Sequence, residues 1–161
     1  MRIGAIIQSR MSSSRLPGKA LIELNKHPVI YHINRRLLEC KNINTIVLAT
    51  SADHSDDPLQ EVANKLGINL FRGSLNDVLD RYYQAAIEYE LDIIVRITGD
   101  CPLVDPDIVD EIINHFLNGS YDLFSVGPKF PDGLDCQVFS MNALSEAWKN
   151  AKLGSEREHV C

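Results

Sequence analysis

Ile3-Gly4-Ala5-Ile6-Ile7-Gln8-Ser9-Arg10-Met11-Ser12-Ser13-Ser14-Arg15-Leu16-Pro17-Gly18-Lys19 reads as a short apolar strand, Ile3 to Ile7, running into a glycine-and-serine loop. At Pro28, a good first helical residue, a helix follows with Val29, Ile30, Ile33, Leu37 and Leu38 on one face. Strand, loop, helix is the opening unit, and the loop inside it is wholly basic. No acidic residue precedes Glu23, so Arg10, Arg15 and Lys19 reverse the local field of a chain whose formal net charge is -6. A loop of cations, hydroxyls and backbone N–H donors suits a polyphosphate.

The same alternation continues outward. Thr45 to Thr50 is β-branched and apolar, and a polar stretch, Ser51 to Asp57, precedes a helix from Pro58 with Leu59, Val62, Ala63 and Leu66 inward and Gly67 as its stop. Ile68 to Phe71 is a third strand, and Ser74 with Asp77 three residues later reads as a helix start for the segment to Tyr89. Asp92 to Ile97 is a fourth strand. Asp105-Pro106 then caps a helix that buries Ile108, Ile112, Ile113 and Phe116. This β-α-β-α rhythm predicts an α/β fold of three layers, a mainly parallel sheet with helices on both faces. Past Gly119 the rhythm weakens, with strands expected at Tyr121 to Val126 and Cys136 to Ser140 and a helix at Met141 to Ala151.

Composition excludes several classes. With 22 Asp plus Glu against 16 Lys plus Arg, the chain lacks the broad basic face that nucleic-acid binding requires. Its 161 residues and 45% hydrophobic content suffice for one core, so a single domain over 1–161 is expected. Cys40, Cys101, Cys136 and Cys161 form no C-x-x-C pair, which suggests neither a zinc site nor a disulfide framework and points to a reduced compartment. No apolar run approaches the roughly 20 residues of a membrane span, and Arg10 and Arg15 interrupt the first apolar stretch too early for a secretory signal. A cytoplasmic protein without membrane contact is the expectation.

Ligands of open α/β sheets gather at the carboxyl ends of the strands. Two of those ends carry sharp signals here. The basic loop is not a Walker P-loop, because Ser13 and Ala20 stand where its first glycine and its metal-binding hydroxyl belong, and it is not G-x-G-x-x-G. Phosphate binding by Arg10 and Lys19, with Gly18 allowing close backbone approach, competes with a plain reading of solvated charges around a Pro-Gly turn. After the fourth strand, Thr98-Gly99-Asp100 places a carboxylate at a strand end. Asp100 is either a magnesium ligand or the cap of its own turn. Asp77 and Arg81 stand four apart, so an ordinary ion pair competes there with a ligand role. The run Ser51 to Asp57, with His54, reads as a solvated loop rather than a metal cluster.

Five segments in order carry a family resemblance: Gln8 to Lys19, Arg72-Gly73-Ser74 with Asp77-Val78-Leu79-Asp80-Arg81-Tyr82, Arg96 to Leu103, Pro131-Asp132-Gly133-Leu134-Asp135, and Glu156-Arg157-Glu158-His159. The chain resembles the cytidylyltransferase-like family of spore-coat polysaccharide biosynthesis proteins. That family is similar in turn to the CMP-ketodeoxyoctonate and CMP-acylneuraminate synthetases. The resemblance implies the Rossmann-like nucleotide-diphospho-sugar transferase fold, and attack of a sugar hydroxyl on the α-phosphorus of CTP with release of pyrophosphate. Arg10 and Lys19 would hold the triphosphate with Arg15 assisting, and Gln8, Gly18 and Gly99 would complete the nucleotide loop. Arg72 and Asp77 would lie near the nucleotide, Asp100 would bind catalytic Mg2+, and Asp132, Gly133 and Asp135 would face the acceptor sugar. Three departures stand out: Ser14 replaces a threonine, Gln137 replaces a glutamate, and family members continue past the Glu-Arg-Glu-His segment with a further Asp-containing motif and homodimer contacts. The 161 residues therefore read as one nucleotidyltransferase-like domain without the family's C-terminal part. A related-fold glycosyltransferase using Asp105-Pro106-Asp107 as an Asp-x-Asp motif, and a nucleotide-binding module without turnover, are the alternatives.

Overall fold

Alternation along the first strand decides which helices it supports. In the computed structural model, which describes residues 1–13, 16–127 and 130–160, β1 spans Ile3–Gln8. Ile3, Ala5 and Ile7 enter one apolar cluster and Ile6 the other, as the two-residue period of a strand requires. The first cluster receives α1 (Val29–Leu37), α2 (Asp57–Leu66) and α4 (Pro106–Asn118). The second receives α3 (Val78–Glu88) and α5 (Met141–Asn150). The three-layer α/β/α expectation is met.

Among the described residues the central sheet has six strands. Beside β1 lie β4 (Thr45–Ser51), β5 (Asn69–Gly73), β6 (Ile93–Thr98), β7 (Leu123–Ser125) and β8 (Cys136–Ser140), in the order β5-β4-β1-β6-β8-β7. The first four are mutually parallel; β8 runs antiparallel to β6, and β7 antiparallel to β8. The chain leaves β1 toward β4 and β5, then returns to the other side of β1 as β6. That reversal makes the β1/β6 seam a topological switch point, with the carboxyl ends of both strands opening on one crevice. Since β8 is antiparallel, the loop preceding it arrives at the same edge.

The remaining elements are a two-strand ladder, β2 (Glu23–Leu24) with β3 (His27–Pro28), and a short helix, α6 (Gly154–Glu158). Asn25 and Lys26 turn that hairpin with φ of 49° and 69°, the doubly positive pattern of a type I′ turn. The sequence reading missed it because each strand has two residues and no glycine marks the turn. Four further details correct the sequence reading. Leu38 is exposed rather than inward; the strand expected over 121–126 is only Leu123–Ser125; Asp77, not Ser74, caps α3, its carboxylate accepting from Asp80 N–H at 2.8 Å; and the run 51–57 is not simply solvated, because Asp56 is fully buried. Among the described residues no helix is long and apolar enough to cross a membrane.

Candidate functional site

The loop after β1 is held in shape by backbone and by one carboxylate. Gly18, at φ 71°, donates its N–H to the Met11 carbonyl at 2.9 Å and closes the loop on itself. A β-carbon is strained in that left-handed conformation, so glycine is the natural occupant. One helical turn, Lys19–Leu21, starts directly after it and anchors the loop through buried Ala20. At the other end, Asp56 Oδ1 accepts from Met11 N–H at 2.7 Å, while its Oδ2 takes the Thr50 hydroxyl at 2.8 Å and the Ser51 N–H at 2.9 Å. Burial alone would push the Asp56 carboxyl up. The hydrogen bonds from Ser51, Met11 and Thr50 outweigh that and hold it below the usual carboxylate value.

The end of β6 meets this loop at the switch point. Gly99 donates its N–H to the Gln8 carbonyl at 2.8 Å. A β-carbon on Gly99 would come within 2.7 Å of Ser9 Cβ and 2.9 Å of the Gln8 carbonyl oxygen, so the seam closes only around a glycine. Next along the chain, Asp100 forms an ion pair and hydrogen bond with Lys19 Nζ. Partial burial raises the Asp100 pKa, but the Lys19 ammonium and the Thr98 hydroxyl together bring it below the ordinary carboxylate value. Between these groups is a cavity of about 210 Å³, walled by Gln8, Ser9, Arg10 and Ser13 on one side and by Lys19, Gly99 and Asp100 on the other. Arg10 has no hydrogen-bond or ion-pair partner among the described residues. An unpaired guanidinium facing a polar cavity is a ready hydrogen-bond donor to phosphate oxygens.

A second cavity of about 270 Å³ adjoins the first through Thr98 and is lined by Arg96, Ser125, Asp135 and Gln137. Arg96 crosses the sheet here, donating to Gln137 Oε1 at 2.6 Å and to Gln8 Oε1 at 3.4 Å. Gln137, where a glutamate was expected, thus accepts from a cation without neutralising it.

The structure therefore brings Gln8, Arg10, Lys19, Gly99 and Asp100 onto one cavity, with Gly18 shaping its loop and Asp135 on the adjoining wall. Asp132 is exposed, and Gly133, at φ 93°, donates to Asp135 Oδ2 at 3.3 Å. Arg15 lies outside the described residues. Arg72 and Asp77 stand apart from the cavity walls. Arg72 is spent on the β4–α2 connection, pairing with Asp57 at 2.7 Å and donating to Ser51 and Asp53 carbonyls and to Gln60. Asp77 pairs with Arg157 of α6 at 2.7 Å, not with Arg81. Asp105 of the Asp-x-Asp run caps α4 through the N–H groups of Asp107 and Ile108, which leaves that motif a helix start. Sequence reasoning missed Asp56, whose polar neighbours concealed its burial. It also missed Arg157 as a clamp, since its partner lies 80 positions away.

Comparison with known proteins places the chain in a family. The family model described as cytidylyltransferase matches residues 4–160. Spore coat polysaccharide biosynthesis protein SpsF of Bacillus subtilis is 34% identical over 161 residues, covering 96% of this chain and 66% of that protein. A 3-deoxy-manno-octulosonate cytidylyltransferase of Lawsonia intracellularis is 30% identical over 129 residues, 77% of this chain and 49% of its own length. The solved structure of a cytidylyltransferase from Leptospira borgpetersenii superimposes with a TM-score of 0.95 at 36% identity, covering 99% of this chain and 69% of that one. The chain thus spans about two thirds of the SpsF length and half of the Lawsonia protein.

Proposed function

Since the chain belongs to the cytidylyltransferase family, we propose that it is a nucleotidyltransferase that activates a sugar as its CMP conjugate from CTP, releasing pyrophosphate, in surface-polysaccharide synthesis. The observation that carries this reading is the cavity at the β1/β6 seam, where an unpaired Arg10 faces a Lys19–Asp100 pair. Its cations match a triphosphate and its carboxylate matches the metal that accompanies one. The sugar and the polysaccharide context rest on the names of the relatives.

In this reading the protein positions reactants and offsets charge, and no protein nucleophile is needed. Gly18 closes the loop that carries Arg10, and Arg10 and Lys19 would flank the phosphates. A sugar hydroxyl attacks the α-phosphorus and gives up its proton to solvent, the bond from the α-phosphorus to the bridging oxygen breaks, and pyrophosphate leaves with that oxygen, carrying charge that the two cations offset. The acceptor occupies the adjoining cavity, with Asp135 available to its hydroxyls. Mg2+ fits Asp100: the carboxylate is ionised, half-exposed and at the cavity wall. Among the described residues no group of three or more metal-ligating side chains exists, which suits a cation that takes one or two carboxylates and fills its sphere with phosphate and water. When bound, it would supply Lewis-acid stabilisation of phosphoryl charge.

Calorimetric titration with CTP, UTP, ATP and GTP in the presence of Mg2+ tests the reading. CTP is expected to bind selectively. Lys19→Ala and Asp100→Ala are each expected to weaken that binding by about 10-fold or more, the loss of one charge-assisted contact, while leaving the circular dichroism spectrum unchanged. Unaltered affinity in both variants would refute the site, and no binding of any nucleotide would refute the function.

A further inference from the structure

Arg81, on α3, is fully buried, yet among the described residues only Nη1 of its guanidinium has a partner, the Ser74 carbonyl at 3.0 Å; Nε and Nη2 have none there. The carboxylate that its spacing suggests, Asp77, is taken by Arg157. A buried charge with unmet donors is costly to a fold, and exchanging such a group for an apolar side chain is often neutral or stabilising. The surroundings nevertheless make room for it. A β-carbon on Gly73 would press on the Arg81 stem at 3.3 Å.

Those surroundings lead to the cavity. Gly73 is the register partner of Ser51, Ser51 donates to Asp56, and Asp56 holds the Met11 N–H beside Arg10. Burial holds the Arg81 pKa below the usual arginine value; Tyr82, Asp56 and Asp77 act against that, and the Arg10 cation acts with it. The group remains a cation, as arginine does throughout the physiological range. Arg10 on the cavity wall and Arg81 behind the strand ends are therefore two guanidinium groups that no described carboxylate pairs directly.

We propose that Arg81 is a positioning residue for polyphosphate: its charge, carried unpaired behind the carboxyl ends of β4 and β5, acts through the Asp56-anchored loop to favour an anion at Arg10. This rests on the nucleotidyltransferase reading and names a residue that contacts no ligand. A structural arginine would lose stability on replacement. One retained for the anion site would lose affinity instead.

The test measures both for the wild type, Arg81→Met and Arg81→Lys, using urea midpoints and calorimetric titration with CTP and, separately, with tripolyphosphate. Arg81→Met is expected to unfold at the same or higher urea concentration while binding both ligands on the order of tenfold more weakly, the effect of losing one buried unit charge at a distance from the anion. Arg81→Lys, which keeps the charge, is expected to restore most of that affinity. Wild-type affinity in Arg81→Met overturns the proposal, as does an Arg81→Met chain that is destabilised or unfolded, or an Arg81→Lys chain as weak as Arg81→Met. If the wild type binds tripolyphosphate but not CTP, the cytidylyltransferase reading fails and the tripolyphosphate series still decides Arg81; if it binds neither, both fail.

Discussion

Replacing Asp56 by asparagine removes one charge and one acceptor at the point where the basic loop is fastened. The carboxylate serves Met11 N–H on Oδ1 and the Thr50 hydroxyl, Ser51 N–H and Ser51 hydroxyl on Oδ2. An asparagine has one oxygen. Placed toward Thr50 and Ser51, it leaves its NH2 group facing Met11 N–H, donor against donor, across a gap that is 2.7 Å in the wild type. Flipped, it faces the Ser51 N–H instead, and the Thr50 and Ser51 hydroxyls must turn to accept from it. Either way one charge-assisted hydrogen bond goes and three become neutral, which together cost about 3 kcal/mol. For a chain of this size that lowers the thermal midpoint by roughly 6–12 °C. In the first orientation Met11 is released, so CTP affinity is expected to fall with stability. The pH dependence has a fixed sign. A carboxyl held below its unfolded value stabilises the fold above about pH 4 and stops doing so as pH falls through the lowered folded value. The wild-type advantage over Asp56→Asn is therefore full at neutral pH and shrinks on acidification below that range. Thermal melts from pH 7 to pH 3 with parallel CTP titrations read all of this; equal midpoints at pH 7, or an advantage that grows as pH falls, would refute the reasoning.

Two further substitutions probe the frame of the site. Gly99→Ala puts a methyl group 2.7 Å from Ser9 Cβ and 2.9 Å from a backbone carbonyl, so β1 and β6 must separate, at a cost of about 1–3 kcal/mol; a urea midpoint equal to wild type would show that the seam yields freely. Arg157→Ala removes the clamp on Asp77 together with the bond to the Trp148 carbonyl at 3.0 Å, and a loss of about 1–2 kcal/mol is expected. Hydrogen exchange should then rise first at the start of α3, and uniform exchange along the chain would contradict the clamp.

The parts of the fold that local rules govern were legible in the sequence. The alternating strands, the Asp105-Pro106 start of α4 and the Gly67 end of α2 follow from side-chain period and capping, and all three stand where those rules put them. The cavity was half legible. Position after a strand brought Arg10, Lys19 and Asp100 together, because parallel strands deliver their carboxyl ends to one edge. What stayed hidden were the partnerships over long separations. Asp56 lies in a run as polar as any solvated loop, and its bond to Met11, 45 positions away, is recorded in no local pattern. Asp77 and Arg81 have ideal helical spacing for a pair, but Arg157 competes for the carboxylate from outside the helix and prevails. The antiparallel β8 reversed the sheet's rhythm through pairing with β6, which no local pattern records.

The charges at the seam bear on how the proposed nucleotide and its cation would share one cavity. Lys19 and Asp100 neutralise each other, and their side chains are 29% and 42% exposed. A pair so wet is worth little, on the order of 1 kcal/mol at most, so little is lost when its members part. In the proposed reaction Lys19 would exchange a carboxylate for phosphate oxygens, and Asp100 would be the residue to hold the divalent cation in place of an ammonium, each gaining a partner of higher charge. A metal without nucleotide would have to displace Lys19 and leave that ammonium beside it; a nucleotide without metal would take Lys19 and leave Asp100 facing phosphate. On the proposed reading the two ligands are therefore coupled with a positive sign. Magnesium affinity should rise in the presence of CTP, and by linkage CTP affinity should rise by the same factor with magnesium.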